Sequence, residues 1–282
     1  MLYYSVDIQK SIDDKSLSPG QLVRKLREQM GLSQWELADL LGVHWVTVSR
    51  WESGRVEPRT EHLGDLAPLF VANAFQRVRT LVREPDRPLA TPTPHTLLYR
   101  LPELKPAVRG YIEASLEAGY YVCFVACPAE GARALCAHWQ LPPQLLTHPH
   151  LKLISLKDAY FRGGRYDISQ MNWLGRKIEE ELVNEGYRHI RWIEDLAPLL
   201  EHGVSWEELV SMEYNADSVY RSQSVSEGLS IYPFPDRTDD PWQACILCRH
   251  PWLLGTKGFV KNPYYTNPLL CWARGQLKAR RI

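Results

Sequence analysis

The chain has no net charge, no membrane-length apolar run and few cysteines. Its 33 Lys and Arg balance 33 Asp and Glu, so any attraction to nucleic acid must come from a local patch. The longest apolar run, 120–127, is far shorter than the ~18 residues of a membrane helix, and the first residues do not resemble a signal peptide. Six cysteines in 282 residues form no disulfide framework. We therefore expect a cytoplasmic protein without a membrane partner.

The composition is that of a soluble globular protein with a sizeable core, since 45% of residues are hydrophobic and 23% charged. The length predicts about two domains. Four prolines between positions 85 and 94 mark a semi-rigid linker and the clearest boundary. The predicted regions are a flexible arm at 1–17, a helical domain at 18–80, a Pro-rich linker at 81–95, an α/β domain at 96–270 and a basic tail at 271–282.

Residues 33–54 predict two short helices joined by a tight turn. Ser33, with Glu36 three residues later, forms a capping-box pattern at the start of the first helix. Gly42 makes the turn, and Val48 and Trp51 anchor the second helix in the core. The residues left facing outward, where a recognition helix would meet base edges, are Trp45, Val46, Thr47, Ser49 and Arg50.

The signature Leu32-Ser-Gln…Leu-Ala…Leu-Gly-Val…Val-Ser-Arg-Trp-Glu-Ser-Gly-Arg55 resembles the helix-turn-helix domain of the phage-repressor and Xre family over residues 18–77. The resemblance implies double-stranded DNA as a partner and an ion pair between Arg27 and Glu52. It implies base contacts from Trp45, Val46, Thr47 and Arg50, and phosphate contacts from Ser33, Gln34 and Arg55. Gln34 would also buttress the recognition helix.

Two features qualify this resemblance. Trp45 and Val46 stand where the family often has amides, which favours contact with thymine methyl groups and leaves Arg50 as the candidate for guanine. Residues 17–83 hold nine Lys or Arg against seven Asp or Glu, too small a surplus for tight binding by one domain. We therefore expect a homodimer on a pseudo-palindromic site. The alternative is a helix-turn-helix that serves only protein contact.

Beyond the linker, strands alternate with helices, which predicts a mostly parallel sheet covered on both faces. The predicted strands are 97–99, 120–127, 151–156, 188–194 and 228–232, and the predicted helices are 104–118, 130–139, 170–185 and 206–216. Asp240-Pro241 predicts a further helix to His250, with a short strand over 243–248 as the alternative. The fold class is thus α + α/β.

The layout resembles RecA-like and KaiC-like nucleotide-binding folds, but the first strand-to-helix loop, 100–108, contains no glycine. Without the glycines of Gly-x4-Gly-Lys-Ser/Thr, backbone amides cannot cradle a phosphate. We therefore expect a degenerate RecA-like domain without enzymatic activity. The rival is a nucleotide hydrolase that uses Glu194 or Asp195.

An ordered set of motifs follows: Tyr160-x3-Gly-Arg-Tyr-Asp167, Glu185-Gly-Tyr-Arg188, Arg191, Glu213-Tyr214, His250-Pro251 and Asn262-Pro-Tyr-Tyr265. Together they resemble the MEDS domain, the methanogen and methylotroph sensory domain, over residues 93–270. The resemblance implies sensing of a small ligand of unknown identity.

Parallel sheets bind ligands beyond the carboxyl ends of their strands. That rule places at one crevice Tyr99, Arg100, Cys127, Glu130, Lys157, Asp158, Tyr160, Glu194 and Asp195. The ligand-sensing candidates are Tyr160, Asp167, Arg191, Glu194 and Asp195. The alternative is that Tyr160, Asp167 and Arg191 form a buried structural network.

Cys245-Ile-Leu-Cys248 invites a metal or redox interpretation with His250. On a helix the two thiols share a face and could hold a metal; on a strand they would point to opposite faces. Buried free cysteines are common, so packing is favoured, and we predict no metal and no cofactor. The sequence as a whole predicts a ligand-responsive, DNA-binding transcriptional regulator, a repressor on family grounds, whose C-terminal domain dimerises.

Overall fold

The computed structural model describes residues 17–84, 87–89, 91–126, 132–222, 225–234 and 241–279. They form two compact units, each described by itself below. The first contains residues 17–77, 241–248 and 266–279, and the second contains the rest. Most of the predicted arm lies outside the described residues, as do Cys127 and Glu130.

The helices follow the predicted order, with several additions. They are α1 Pro19–Met30, α2 Gln34–Leu40, α3 Trp45–Glu52, α4 Thr60–Leu81, α5 Lys105–Glu117, α6 Ala132–Trp139, α7 Leu156–Tyr160, α8 Ile168–Asn184, α9 Ala197–Glu201, α10 Trp206–Ser222, α11 Pro241–Leu247 and α12 Pro268–Ala279. Short 3-10 helices span Pro102–Leu104 and Pro143–Thr147.

The strands are β1 Arg87–Pro88, β2 His95–Arg100, β3 Tyr121–Ala126, β4 Leu151–Ser155, β5 Phe161–Arg162, β6 Arg165–Tyr166, β7 Ile190–Asp195, β8 Ser226–Pro233, β9 Trp252–Leu254 and β10 Gly258–Lys261. Eight of them form one sheet in the order β1-β10-β9-β2-β8-β7-β3-β4. Six neighbouring strands of this sheet, β9, β2, β8, β7, β3 and β4, are mutually parallel. This confirms the α + α/β fold class.

In the first unit, local sequence sets where the helices begin and how closely they pack. Ser33 and Glu36 form the predicted capping box, each accepting a hydrogen bond from the other's backbone N–H. Gly20 lies so close to α3 that a Cβ at this position would come within 1.9 Å of the Trp51 carbonyl oxygen. Val48 and Trp51 are buried, as predicted. The absence of a side chain at Gly20 therefore lets α1 cross α3 at close range.

In the second unit, alternation along the strands divides the side chains between two faces of the sheet. On the front face lie Trp192 and Glu194 of β7 and Tyr232 of β8, covered by α8 and α10. On the back face lie Arg191 and Asp195 of β7, and α5 covers this side through Tyr111 and Ser115.

Several segments differ from the expectation. Residues 271–279 of the predicted basic tail belong to α12, with Ala273 and Leu277 buried. Residues 87–88 of the linker form an edge strand against β10. The Asn262-Pro-Tyr-Tyr265 motif begins a turn over 263–266, in which the Asn262 side chain accepts a hydrogen bond from the backbone N–H of Tyr264 at 2.9 Å. Of the alternatives at 241–248, the helix is correct.

None of the helices in the described part of the chain combines the length and apolarity needed to cross a membrane.

Candidate functional site

The recognition helix α3 presents the predicted base-contacting side chains at the surface. Trp45, Val46 and Thr47 are partly exposed and Arg50 is exposed. His44 caps the helix, its Nδ1 accepting a hydrogen bond from the Val46 N–H at 3.3 Å. These residues therefore share an accessible surface on the first unit.

A buried carboxylate holds α3 against the two preceding helices. Glu52 accepts two hydrogen bonds from Arg27, at 2.6 and 3.1 Å, and one from the Gln34 amide at 2.9 Å. Burial opposes ionisation of Glu52, yet these donors hold the pKa of its carboxyl below the usual range. The predicted ion pair between Arg27 and Glu52 is confirmed. Gln34 buttresses the recognition helix, because its amide N–H binds Glu52.

Trp45 stacks on a second tryptophan that the sequence analysis did not single out. The ring centroids of Trp35 and Trp45 lie 5.7 Å apart, with planes inclined by 21°. Trp35 is 65% exposed, so the pair forms an indole surface beside α3. The other two predicted phosphate-binding residues, Ser33 and Arg55, are also exposed.

The second unit has a cavity of about 180 Å³ on the front face of its sheet. Helix α8 supplies one wall, α10 the opposite wall, and β7 the floor. The lining residues are Tyr160, Ile168, Met171, Asn172, Gly175, Arg176, Glu179, Trp192, Glu194, Met212, Ala216 and Tyr220. An apolar cavity of about 150 Å³ can hold benzene, so this volume suits a small organic molecule.

Glu194 is a buried carboxyl in the cavity lining, with 6% of its surface exposed. Burial, and then the negative charge of Glu213, raise the pKa of the Glu194 carboxyl to about 7, although the Tyr160 hydroxyl opposes the rise. Near neutral pH this carboxyl can therefore either donate or accept a hydrogen bond.

A second carboxylate fixes the cavity floor to its wall. Glu179 of α8 accepts a hydrogen bond from the Trp192 indole at 3.2 Å and another from the Ser226 hydroxyl. The indole orientation is thereby set by α8. Glu179 and Trp192 were not predicted as site residues, although Trp192 lies two residues before Glu194 and thus on the same strand face.

Arg191 lies on the back face, among partners that satisfy its guanidinium. It donates to Glu227 at 3.1 Å and to the Ser115 hydroxyl at 2.8 Å. The guanidinium also donates hydrogen bonds to the backbone carbonyls of Leu89 and Thr91. It stacks over the aromatic rings of Tyr111 and Tyr120. The structure therefore places Arg191 in a structural network and not at the cavity.

The remaining sensing candidates lie in different places. Asp195 is on the back face and forms an ion pair with Arg100. Asp167 caps α8 at the surface, accepting a hydrogen bond from the Ser169 N–H at 2.9 Å. Of the five predicted sensing residues, only Tyr160 and Glu194 line the cavity.

The two cysteines of the Cys-x-x-Cys pair lie in the first unit, on α11 and just after it. The Cys248 thiol donates to the Cys245 carbonyl at 3.2 Å, and an Arg274 N–H reaches the Cys245 sulfur at 3.0 Å. Hydrogen bonds with Cys245 and Cys271, and then burial, raise the pKa of the Cys248 thiol well above its usual value. These contacts favour packed, neutral thiols, as in the packing interpretation, and the metal or redox role with His250 stays an untested alternative.

Comparison with protein families places two domains on the chain. The model described as "MEthanogen/methylotroph, DcmR Sensory domain" (MEDS) matches residues 97–251, more than half of the chain. A helix-turn-helix model matches residues 23–68. No curated protein and no solved structure gave a match. The resemblances to the helix-turn-helix domain and to the MEDS domain are confirmed.

Proposed function

The chain belongs to the MEDS family, and we propose that it is a sequence-specific DNA-binding transcriptional regulator, acting as a repressor, whose MEDS domain senses a small organic ligand. It would act in the cytoplasm as a homodimer on a two-fold symmetric operator.

One observation carries the DNA-binding part: an accessible recognition helix on a rigid support. Arg50 and its neighbours on α3 are at the surface, while Glu52 at the end of the same helix is held by hydrogen bonds from α1 and α2. A helix fixed in this way can read base edges in the major groove without first becoming ordered.

The cavity of the MEDS domain supports the sensing part. Apolar and aromatic walls suit a hydrocarbon-like ligand, and Glu194 and Arg176 offer it one polar anchor each. Such a ligand changes DNA binding only if its affinities for the DNA-competent and incompetent states differ.

The proposal includes no nucleotide hydrolysis. The segment after β2 runs into a 3-10 helix at Pro102–Leu104 and then α5, and contains no glycine that would let backbone amides close around a phosphate. Hydrolysis of ATP by the purified full chain, lost on Glu194→Gln, would contradict this part.

The test of DNA binding begins with selection of a preferred duplex from random sequences by the full chain. Arg50→Ala should then weaken binding to that duplex by roughly 10- to 100-fold and relax the preference at one base pair, because a bidentate guanine contact is lost. Arg77→Ala, which removes an equal charge from an exposed position on α4, is the control. Equal losses in both variants, or no preferred sequence, would contradict the proposal.

The sensing part is tested on the same complex. A panel of benzene-sized alcohols, acids and halides is screened for compounds that change the affinity for the selected duplex. Ala216→Leu fills the cavity and should abolish the response, while Ala137→Leu, at an exposed position, should preserve it. A response that persists in Ala216→Leu would place the ligand elsewhere.

A further inference from the structure

Three buried metal-ligating side chains meet in the second unit, from positions far apart in the chain. His95 begins β2, Glu213 lies on α10, and His250 precedes β9. The side chains of all three are fully buried. Neither the proposed DNA surface nor the cavity lining includes them.

The donor atoms have the spacing of a metal site. Nε2 of His95 lies 3.1 Å and Nε2 of His250 lies 3.3 Å from the same oxygen, Oε2 of Glu213. The three donor atoms all lie within 4.8 Å of one another. Zinc binds such ligands at about 2.0–2.2 Å, so two ligands of a tetrahedral ion stand roughly 3.4 Å apart. An ion could therefore be accommodated by small side-chain adjustments.

We propose that His95, Glu213 and His250 bind one divalent transition-metal ion, with Zn²⁺ as the best fit. Two imidazoles and one carboxylate suit Zn²⁺ and its neighbours in the first transition series. Ca²⁺ and Mg²⁺ are disfavoured because they prefer oxygen ligands.

One surrounding hydrogen bond orients the carboxylate of Glu213, and another fixes the backbone at His250. The Tyr232 hydroxyl donates to Oε1 of Glu213 at 2.6 Å, which leaves Oε2 directed at the histidines. The Asn262 amide donates to the His250 backbone carbonyl at 2.7 Å and so fixes the backbone at His250, just before β9. Such outer contacts usually hold metal ligands in place.

Two contacts connect this cluster with the cavity. Tyr220 lines the cavity, and its ring centroid lies 5.4 Å from that of His95. Glu194, also in the lining, interacts electrostatically with Glu213 and His95. Three protein ligands leave one coordination position open, the arrangement by which a metal can bind an exchangeable small molecule. Metal binding itself does not depend on the proposed sensing function.

The experiment measures metal uptake by the full-length protein. After treatment with a chelator and buffer exchange, the chain should take up one equivalent of Zn²⁺, counted by elemental analysis. Glu213→Gln and His250→Asn should each weaken the affinity by more than the ~10–100-fold typical of outer-shell changes. His138→Asn, at an exposed histidine, and the double variant Cys245→Ser with Cys248→Ser should keep full uptake.

Co²⁺ gives a readout that requires no variant. In the wild-type chain it should produce visible bands of a nitrogen- and oxygen-ligated ion, without the strong near-ultraviolet band of a thiolate ligand. The proposal is overturned if the folded wild-type chain takes up none of Zn²⁺, Co²⁺, Ni²⁺ and Mn²⁺. It is also overturned if the cysteine variant alone removes uptake, or if folded Glu213→Gln and His250→Asn chains bind as the wild type does. A buried His-Glu-His hydrogen-bonded cluster is what would then remain.

Discussion

The two faces of the central sheet bury charged groups in different ways. On the back face, Arg191 has Glu227 as a counter-ion, and Asp195 has Arg100. On the front face, the negative charge of Glu213 opposes ionisation of Glu194, and Glu194 lines a cavity. Residues next to each other on β7 thus have opposite roles, because successive side chains point to opposite faces.

The difference shows where binding can occur. A charge that already has a counter-ion within the protein has little to gain from a ligand, and removing it leaves its partner unpaired. A buried carboxyl that lines a cavity, and whose ionisation is opposed by a neighbouring carboxylate, can gain a partner when a ligand binds. Arg191 and its partners on the back face accordingly contribute stability, and the cavity beside Glu194 on the front face is suited to recognition.

The largest expected effect is on the back face. Arg191→Met should reduce the free energy of unfolding by about 3–5 kcal/mol, because the Glu227 carboxylate and the Ser115 hydroxyl lose a buried partner. Urea denaturation at neutral pH measures the change. Arg109→Met, which breaks the exposed pair with Glu113 on α5, is the control and should cost no more than about 0.5 kcal/mol. A loss below about 1 kcal/mol for Arg191→Met would mean that the back face is not held by this network.

Part of this division could have been predicted from the sequence. The strands β2, β3, β4, β7 and β8 were found within about two residues of their ends, because buried runs and alternation give a strong signal. The same alternation separates Arg191 and Asp195 from Glu194, since odd spacings on a strand point to opposite faces. Because Glu194 lines the cavity, this alternation excludes Arg191 and Asp195, two of the five sensing candidates, from the cavity lining.

Other features of the second unit could not be predicted, because no local sequence pattern indicates them. His95, Glu213 and His250 are brought together only by the tertiary fold, since 118 and 37 residues separate them in sequence (213 − 95 and 250 − 213). Strand β9, of 3 residues, is defined by its partners and not by its own pattern. The close packing of Gly228 against the Tyr220 ring likewise could not be predicted from the sequence around Gly228. A Cβ at this position would come within 2.3 Å of that ring.

A smaller effect is expected on the front face, and it depends on pH. Glu194 has a folded-state pKa of about 7, above the value near 4.5 of an unfolded chain. The folded state therefore holds this proton more tightly, and the contribution of Glu194 to stability is lost as the pH rises from about 4.5 to 7. Since the glutamine side chain does not titrate, the stability of Glu194→Gln relative to wild type should rise by roughly 2–3 kcal/mol between about pH 5 and pH 8.

Denaturation midpoints at both pH values, measured in a metal chelator, test this expectation. Glu180→Gln, at an exposed position on α8, is the matched control. If the stability difference for Glu194→Gln depends on pH no more than that for Glu180→Gln, the Glu194 carboxyl is not protonated near neutrality and the contrast between the two faces is lost.

The smallest effect on stability is expected at a second arginine. Arg176 is exposed at the edge of the cavity, whereas Arg191 is fully buried on the back face. Arg176→Ala should change the free energy of unfolding by no more than about 0.5 kcal/mol, as surface substitutions usually do. It should nevertheless weaken the response to a ligand with an acidic group, because that ligand would lose its cationic anchor. If Arg176→Ala lost about as much stability as Arg191→Met and left the ligand response unchanged, the role of Arg176 would be structural. The ligand would then be recognised by Tyr160 and Glu194 without Arg176.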